Sequence, residues 1–312
     1  KMNAAIRIRF EISLWRNLRR VSKEFKSCNF DLCLSCIPTL AAGIVGKLNA
    51  NKFGIPFGLI VQDLSGVGAK QSGLLGGAVI SKIARAVESR TLHGANALVV
   101  LSPAMRNVVV GLGVEESRIS QIHNYSARKI DSINKEQARD RFGWSTDDFV
   151  VLHTGNMGAK QNLENVVNAA RYLNGNSRIK IFLFGHGNQE SNLKALCKGK
   201  KNISVMAAVS DSDYSALLSA ADLLLVNERS TQVHMSLPSK ITSYLFSTKP
   251  VLAAVPRDGA TWKFLEGVAE LVEAGDPKSL ASKIEELSMN KSRLQELARL
   301  GLEFAVNTLD PA

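Results

Sequence analysis

The residues best suited to chemistry cluster in the second half of the chain. Thr154-Gly155-Asn156-Met157-Gly158-Ala159-Lys160-Gln161 follows an apolar, β-branched run that reads as a buried strand. Two glycines let backbone N–H groups come close to a ligand, and a helix starting near Gln161 turns its positive end to the same point. Lys160 adds a mobile cation. This combination suits a phosphate or diphosphate, although an ordinary βα turn with a solvated lysine contains the same residues. A second segment, Ser236-Leu237-Pro238-Ser239-Lys240, opens a helix over 239–247, with proline at the first helical position and Ser236 or Ser239 as cap. Alone it reads as simple capping. Together the two segments supply two helix N-termini plus Lys160 and Lys240, which fits an anionic donor. Gly185-His186-Gly187 follows a third strand and suits a tight turn near a ligand.

Other residue sets read differently. Asp211-Ser212-Asp213 has the spacing of a metal-binding pair, but Asp211 sits where a helix N-cap belongs and Asp213 in a first turn. Cys28, Cys33 and Cys36 resemble half of an iron–sulfur spacing. Cys33 lies in an alternating strand and Cys197 is the one remaining cysteine, so small apolar packing is the expected role. His93 and His123 stand at element ends with no carboxylate nearby in sequence, which suits core or surface histidines. Asp63 follows a strand at 57–61 and precedes a Gly-rich stretch at 65–77. Its carboxylate could bind an acceptor hydroxyl, act as a base, or cap the loop. No strand is followed by GxGxxG and no GxxxxG by Lys, so dinucleotide and P-loop readings lose support.

These positions need elements to hold them, and from residue 149 onward the chain alternates regularly. Strands are expected at 149–154, 179–184, 203–206, 223–226, 251–254 and 269–272, and helices at 162–173, 189–198, 212–220, 239–247, 277–287 and 291–304. Such spacing predicts parallel βαβ units with right-handed crossovers. Burial of both sheet faces explains the near-continuous apolar strands. The first half has the same grammar: helices at 3–26, 40–51, 79–93 and 104–111, and strands at 31–37, 57–61, 97–101 and 119–122. The helix at 3–26 places Ile6, Phe10, Leu14, Leu18, Val21 and Phe25 on one stripe. Residues 126–147 are polar and hold no strand, so the boundary falls there, between Rossmann-like domains at 1–128 and 129–312. The fold class is α/β, with two mostly parallel sheets expected to face each other across a cleft, a geometry suited to a bi-substrate enzyme. The chain opens on Lys1 and a helix, so the first strands of the N-terminal domain are expected upstream of it.

Composition narrows the options further. The chain has 312 residues, 45% hydrophobic and 21% charged, which is too apolar for disorder. All of the net +11 falls in residues 1–130, with 18 Lys+Arg against 7 Asp+Glu, whereas residues 131–312 hold 21 of each. That asymmetry is a poor match to a nucleic-acid coat, and no RNP, helix-turn-helix or zinc signature is present. No apolar run reaches the roughly 18 residues that span a bilayer. Lys1 to Phe10 lacks the apolar region of a signal peptide, and four cysteines do not make a disulfide framework.

Four segments in order, TGNMGAKQNLENVVNAA, FLFGHGNQESNLKAL, VSDSDYSALLSAADLLLV and LPSKITSYLFSTKPVLA, resemble the C-terminal domain of family 4 glycosyltransferases. VQDL, ANALVVLSPAMRNVV and RISQIHNYS are similar to the N-terminal domain of the same family, in its WcaI-like colanic acid and exopolysaccharide subgroup. The resemblance covers nearly the whole chain. It implies a GT-B fold, with 1–128 meeting the acceptor and 129–312 binding the nucleotide-sugar. It also implies retaining transfer from a UDP- or GDP-sugar to a lipid-linked or saccharide acceptor, with no metal or other cofactor. On that pattern Lys160 holds the donor diphosphate beside Gly155 and Asn156, with Gly185 and Gly187 in the adjoining turn. Leu237, Pro238, Ser239 and Lys240 form the helix N-terminus that cradles the phosphates, and Val209 lies where the base stacks or bonds to backbone. Asp63 follows the strand that bears an acceptor-side polar residue.

The departures from the pattern are specific. The family's pair of glutamates falls on Met235 and Ser243, so the carboxylate that grips the nucleotide ribose is missing. The Trp-Pro that usually follows VQDL is Ser65-Gly66. These differences motivate an alternative: a catalytically inactive glycosyltransferase-like protein that binds a nucleotide or glycan without turnover. The resemblance also gives the basic half a role. The helix at 3–26, with Arg7, Arg9, Arg16, Arg19, Arg20, Lys23 and Lys26, is expected to touch an anionic membrane, placing the protein in the cytoplasm at the inner face of the cytoplasmic membrane. A packed helix with a solvated basic face is the other reading.

Overall fold

The computed structural model describes residues 4–25, 29–64, 78–124, 130–131, 133–230 and 237–309. The chain folds as two compact units, Lys1–His123 and Asn124–Ala312, which divide a few residues before the boundary expected after 128.

The first unit holds four parallel strands, β1 (Cys33–Ile37), β2 (Phe57–Val61), β3 (Ala97–Val100) and β4 (Ile119–Gln121), lying in that order. Helices α1 (Ala4–Val21), α2 (Leu40–Phe53), α3 (Ala78–Gly94) and α4 (Pro103–Gly111) alternate with them. Ser102 caps α4 by accepting from Met105 N, with Pro103 as its first residue.

Helix α1 departs from its expected stripe. Ile6, Phe10, Val21 and Phe25 are exposed, while Glu11, Leu14, Leu18 and Ser22 are partly buried along the side packed on α2. Polar bonds set this rotation. Glu11 accepts from Leu40 N at 3.3 Å and Ala41 N at 2.9 Å, which caps the start of α2, and Asn49 Nδ2 donates to Ser22 Oγ at 2.9 Å.

The second unit contains a six-stranded, all-parallel sheet: β5 (Phe149–Thr154), β6 (Ile179–Phe184), β7 (Ile203–Met206), β8 (Leu223–Asn227), β9 (Val251–Val255) and β10 (Glu270–Glu273). Its order is β10-β9-β8-β5-β6-β7. The chain therefore moves one way from β5 to β7 and the other way from β8 to β10. The order reverses between β5 and β8, and ligands of open parallel sheets bind beyond the carboxyl ends of the strands at such a point. Helices α5 (Lys135–Phe142), α6 (Glu164–Tyr172), α7 (Glu190–Cys197), α8 (Asp211–Ala220), α9 (Lys240–Phe246), α10 (Ala260–Leu265), α11 (Pro277–Met289) and α12 (Lys291–Leu309) complete the unit.

Alternate strand residues serve two cores. Val151, Ile181, Leu183, Leu225 and Leu252 face one cluster, and Val150, Leu152, Leu224, Val226 and Ala253 the other. Each large aliphatic side chain buried this way contributes about 1.5–3 kcal/mol relative to exposure. Double-sided burial is what makes strand ends rigid enough to position a site.

Three local expectations change. The stretch 126–147, read as polar and strandless with no helix assigned to it, contains α5, N-capped by Asn134 and closed by Gly143 at φ 65. The cap of α8 is Ser210 rather than Asp211: Ser210 Oγ accepts from Asp213 N at 3.2 Å and donates to Asp213 Oδ2 at 2.6 Å. Finally, the helix after the Lys160 turn begins at Glu164 rather than near Gln161, because residues 158–161 form turns and Asn162 adopts φ 46.

Candidate functional site

The turn after β5 is built by close backbone approach. Gly155 N donates to Phe184 O at 2.8 Å, Met157 N to His186 O at 2.7 Å, and Gln189 N to Met157 O at 2.9 Å. The turn thus lies directly against the one that follows β6. A Cβ on Gly185 would sit 1.8 Å from Gly155 O, and one on Gly187 would sit 2.4 Å from Met157 O. These glycines are required because one backbone meets another. The amides of Gly155 and Gly158 are used inside the protein, the latter donating to Gln161 Oε1 at 3.2 Å. Positive charge at this turn comes from side chains, and Lys160 and Asn156 are exposed there.

The Lys160 turn is fastened to the end of β8 across the reversal point. Asn227 Nδ2 donates to Gln161 O at 2.7 Å and Asn162 O at 3.1 Å, and Arg229 N donates to Lys160 O at 2.9 Å. Asn227 Oδ1 accepts from Asn165 Nδ2 at 3.0 Å. Both asparagines are buried.

Lys240, the first residue of α9, supplies the second cation. Its Nζ lies 3.0 Å from Nε2 of the fully buried His153 and 3.5 Å from the Cβ position of Gly155. His153 Nδ1 lies 3.1 Å from Leu225 O. A carbonyl can only accept, so Nδ1 carries the proton and Nε2 accepts from Lys240. Burial first, then the Lys240 charge, push the His153 pKa well below its usual range, while the Leu225 bond works the other way. His153 is therefore a neutral acceptor beneath the ammonium.

Glu228 lies just past β8 and is buried. Its Oε1 accepts from Thr261 Oγ1 at 2.8 Å, and its backbone N donates to Ala254 O. Oε2 is buried and has no hydrogen-bond partner among the described residues. Burial raises the Glu228 pKa to about 7, opposed by the Thr261 bond and then by the charges of Lys240 and Lys160. Burial likewise lowers Lys240 to about 7, opposed by Glu228. At the reversal point the unit thus holds two lysines, one carboxyl and one neutral imidazole.

The remaining expected site residues distribute as follows. Ser243, one turn after Lys240, is buried; Leu237 and Pro238 are half-buried and Ser239 is exposed. Ser239 makes no side-chain cap to α9, and Pro238 O accepts from Ile241 N instead. Ser236 and Met235 lie outside the described residues. Val209 is partly buried against the Val150 core. Tyr244 OH accepts from Thr154 N at 2.8 Å and closes the base of the turn. In the first unit, Asp63 Oδ1 accepts from Leu64 N at 2.8 Å. His123 Nδ1 lies 3.1 Å from Leu101 O, and Cys33 Sγ donates to Gly46 O. Cys28 lies outside the described residues. Among the described residues, no three His, Cys, Asp or Glu side chains converge as a metal site.

Sequence reasoning identified Lys160 and Lys240 and missed Glu228, His153, Asn227 and Thr261. Glu228 had one available signal: it follows an apolar strand next to the strand that carries the Lys160 turn.

The chain is similar to known proteins in sequence and in fold. The chain is 25% identical over 292 residues to the putative colanic acid biosynthesis glycosyl transferase WcaI of Escherichia coli K12, covering 90% of this chain and 70% of that protein. Its fold is similar to Anabaena Alr3699/HepE, solved with UDP and with UDP-glucose, at TM-score 0.74 and 17% identity over 94% of this chain and 78% of that one. It is also similar to sucrose-phosphate synthase from Thermosynechococcus elongatus, at TM-score 0.77 and 16% identity over 96% and 75% of the two chains. These neighbours have the GT-B fold. Residues 134–301, which carry β5 to β10 and both lysines, match the family described as glycosyl transferases group 1, and the chain belongs to that family of transferases.

Proposed function

We propose that this protein is a retaining glycosyltransferase that moves a sugar from a UDP- or GDP-sugar to a lipid-linked or saccharide acceptor in exopolysaccharide or cell-envelope glycan synthesis. The observation that carries this reading is the meeting of Lys160 and Lys240 at the carboxyl ends of β5 and β8, where the strand order reverses. Two cations there suit a diphosphate. As the bond from sugar to diphosphate breaks, negative charge grows on the leaving group, and fixed positive charge lowers that barrier. The lysines supply this charge themselves, so the proposed reaction needs no metal ion. Similarity to WcaI supports a role in surface-glycan synthesis, and similarity to a fold solved with UDP-glucose supports a nucleotide-sugar donor.

The test is Lys160→Ala. Losing one charged hydrogen bond costs about 1.5–3 kcal/mol, so activity falls at least about tenfold. Unchanged turnover in that variant removes the assignment. Chelation with EDTA leaves the wild-type rate unchanged.

Ser243, where the family pattern has a carboxylate, supports a second reading, an inactive protein that binds a nucleotide or glycan without turnover. Tight binding of a nucleotide-sugar with no transfer to any acceptor supports it. On either reading we place the protein in the cytoplasm against the anionic inner face of the membrane. Helix α1 supports this by exposing Ile6, Ile8, Phe10 and Ile12 beside Arg7, Arg9, Arg16 and Arg19. No described helix is long and apolar enough to cross a membrane.

A further inference from the structure

The carboxyl of Glu228 is the one buried polar group at the lysine site with an unused oxygen among the described residues. Buried carboxylate oxygens are nearly always bonded, so an orphan next to a ligand site calls for an account. We propose that Glu228 is the resident counter-charge of the phosphate site: without ligand its carboxylate balances Lys240, and a bound diphosphate takes over that lysine and leaves Glu228 protonated, so that donor binding takes up a proton. This inference rests on the diphosphate reading and adds a binding residue that the reading does not need.

The geometry supports it from every side. Lys240 on α9 and Lys160 in the turn after β5 are the two charges that act on its carboxyl, and neither bonds to Oε2. From β5, His153 reaches it through Lys240, and burial together with the Lys240 charge keeps that imidazole neutral while its Nδ1 bonds to the Leu225 carbonyl. From α10 comes the Thr261 hydroxyl, and from β9 the Ala254 carbonyl, which accepts from the Glu228 amide. Thr261 is fully buried and anchors Oε1, so the carboxyl is fixed while Oε2 stays unused. A carboxylate held in this way beside a dianionic diphosphate is repelled, and protonation removes the repulsion.

The titration behaviour agrees. Glu228 is raised to about 7 and Lys240 lowered to about 7, so the two share protons near neutrality. A diphosphate favours charged Lys240 and neutral Glu228, and both preferences draw protons in. Affinity therefore falls as pH rises through 7, by up to about tenfold per pH unit for each proton taken up.

The test is calorimetry with UDP-glucose, UDP-N-acetylglucosamine and GDP-mannose in buffers of differing ionisation enthalpy. The diphosphate diester of a nucleotide-sugar is fully ionised, so the ligand contributes no proton of its own. Wild-type protein is expected to show a buffer-dependent heat that corresponds to proton uptake, and Glu228→Gln to take up less and to bind with a flatter pH dependence. Buffer-independent heat in the wild type overturns the inference while leaving the diphosphate reading intact, and this arm needs no variant. Undiminished uptake in a folded Glu228→Gln protein overturns the role of Glu228. Binding of none of the three nucleotide-sugars overturns the diphosphate reading and the inference together.

Discussion

Asn227, the last residue of β8, donates from Nδ2 to the carbonyl of Gln161 at 2.7 Å, and so ties the end of one strand to the turn that follows its neighbour. The same amide reaches Asn162 O, and its oxygen is held by Asn165. The turn needs this because Asn162 sits at φ 46, a conformation that a side chain other than glycine adopts at a cost. Lys160 is thus positioned by a buried amide network rather than by a helix N-terminus. Asn227→Leu takes the side-chain donor from Gln161 O and the acceptor from the buried Asn165 amide, at about 1–3 kcal/mol for each group left unpaired, while Asn162 O keeps its bond from Asn165 N. The expected result is a lower melting temperature and a raised KM for the donor. Asn227→Asp fails similarly, since a carboxylate then faces two carbonyls. Steady-state kinetics with thermal melts check this, and an unaltered donor KM in the Leu variant counts against the positioning role.

Gly185 gives a sharper test of the same turn. Its Cβ position lies 1.8 Å from a backbone oxygen, and a backbone atom cannot swing away as a side chain can. Gly185→Ala must push the two turns apart. We expect a loss exceeding the ~1–3 kcal/mol of ordinary overpacking, and donor affinity at least about tenfold weaker. Gly175, with open space around its Cβ position and outside the site, serves as the control: Gly175→Ala leaves donor binding unchanged. Equal behaviour of the two variants in a binding titration would remove the argument from close approach.

Much of the fold was legible because parallel strands buried on both faces must be largely apolar, and residues 149–152 and 223–226 are. Lys160 and Lys240 were legible because each stands just beyond a strand or at the opening of a helix. Glu228 and His153 were not, because what defines them lies far along the chain. The hydroxyl that anchors Glu228 is 33 residues away, and the lysine on His153 is 87 residues away. Inside an apolar strand, His153 reads as a core histidine. Helix α5 was missed because its buried side includes Arg139 and it carries little apolar periodicity. Asn134 and Gly143, its start and stop signals, were present all the same.

The stability of the unliganded protein carries the mark of the Glu228–Lys240 pair. Glu228 has its folded pKa raised to about 7 from 4.5, so its contribution is fully present below pH 4.5 and is lost as pH rises to 7. Lys240 has its folded pKa lowered to about 7 from 10.5, so its contribution is present above pH 10.5 and is lost as pH falls to 7. Both are least favourable near pH 7. Relative to wild type, Glu228→Gln should therefore gain stability as pH rises from 4.5 to 7, and Lys240→Met should gain as pH falls from 10.5 to 7. Chemical denaturation of the three proteins across that range gives the differences. A Glu228→Gln difference independent of pH between 4.5 and 7 would show that this carboxyl titrates in the ordinary range.

Arg139 makes a separate demand on the fold. It is 1% exposed, and its guanidinium bonds to Asp222 Oδ2 at 2.5 Å and donates to the carbonyls of Ala220, Ser145 and Thr146. Asp222 in turn accepts from Val150 N at 2.7 Å and pairs with Lys135. This network fixes α5 to the amino-terminal ends of β5 and β8, opposite the lysine site. Arg139→Met takes the donor from three carbonyls and leaves Asp222 with Lys135 as its one ion-pair partner among the described residues, so it should cost about 3–5 kcal/mol. Replacing both, Arg139→Met with Asp222→Leu, should cost less than the sum of the two single changes, because neither member of the pair is left buried without the other. Lys249, whose Nζ donates to Ser219 O, has its pKa lowered to about 8, by burial first and then by Lys135. It can supply part of the lost positive charge, so the Arg139 variant should be relatively better at pH 7 than at pH 9. Denaturant unfolding of the two single variants and the double, at both pH values, gives the coupling energy. Strict additivity would mean that Arg139 and Asp222 act independently.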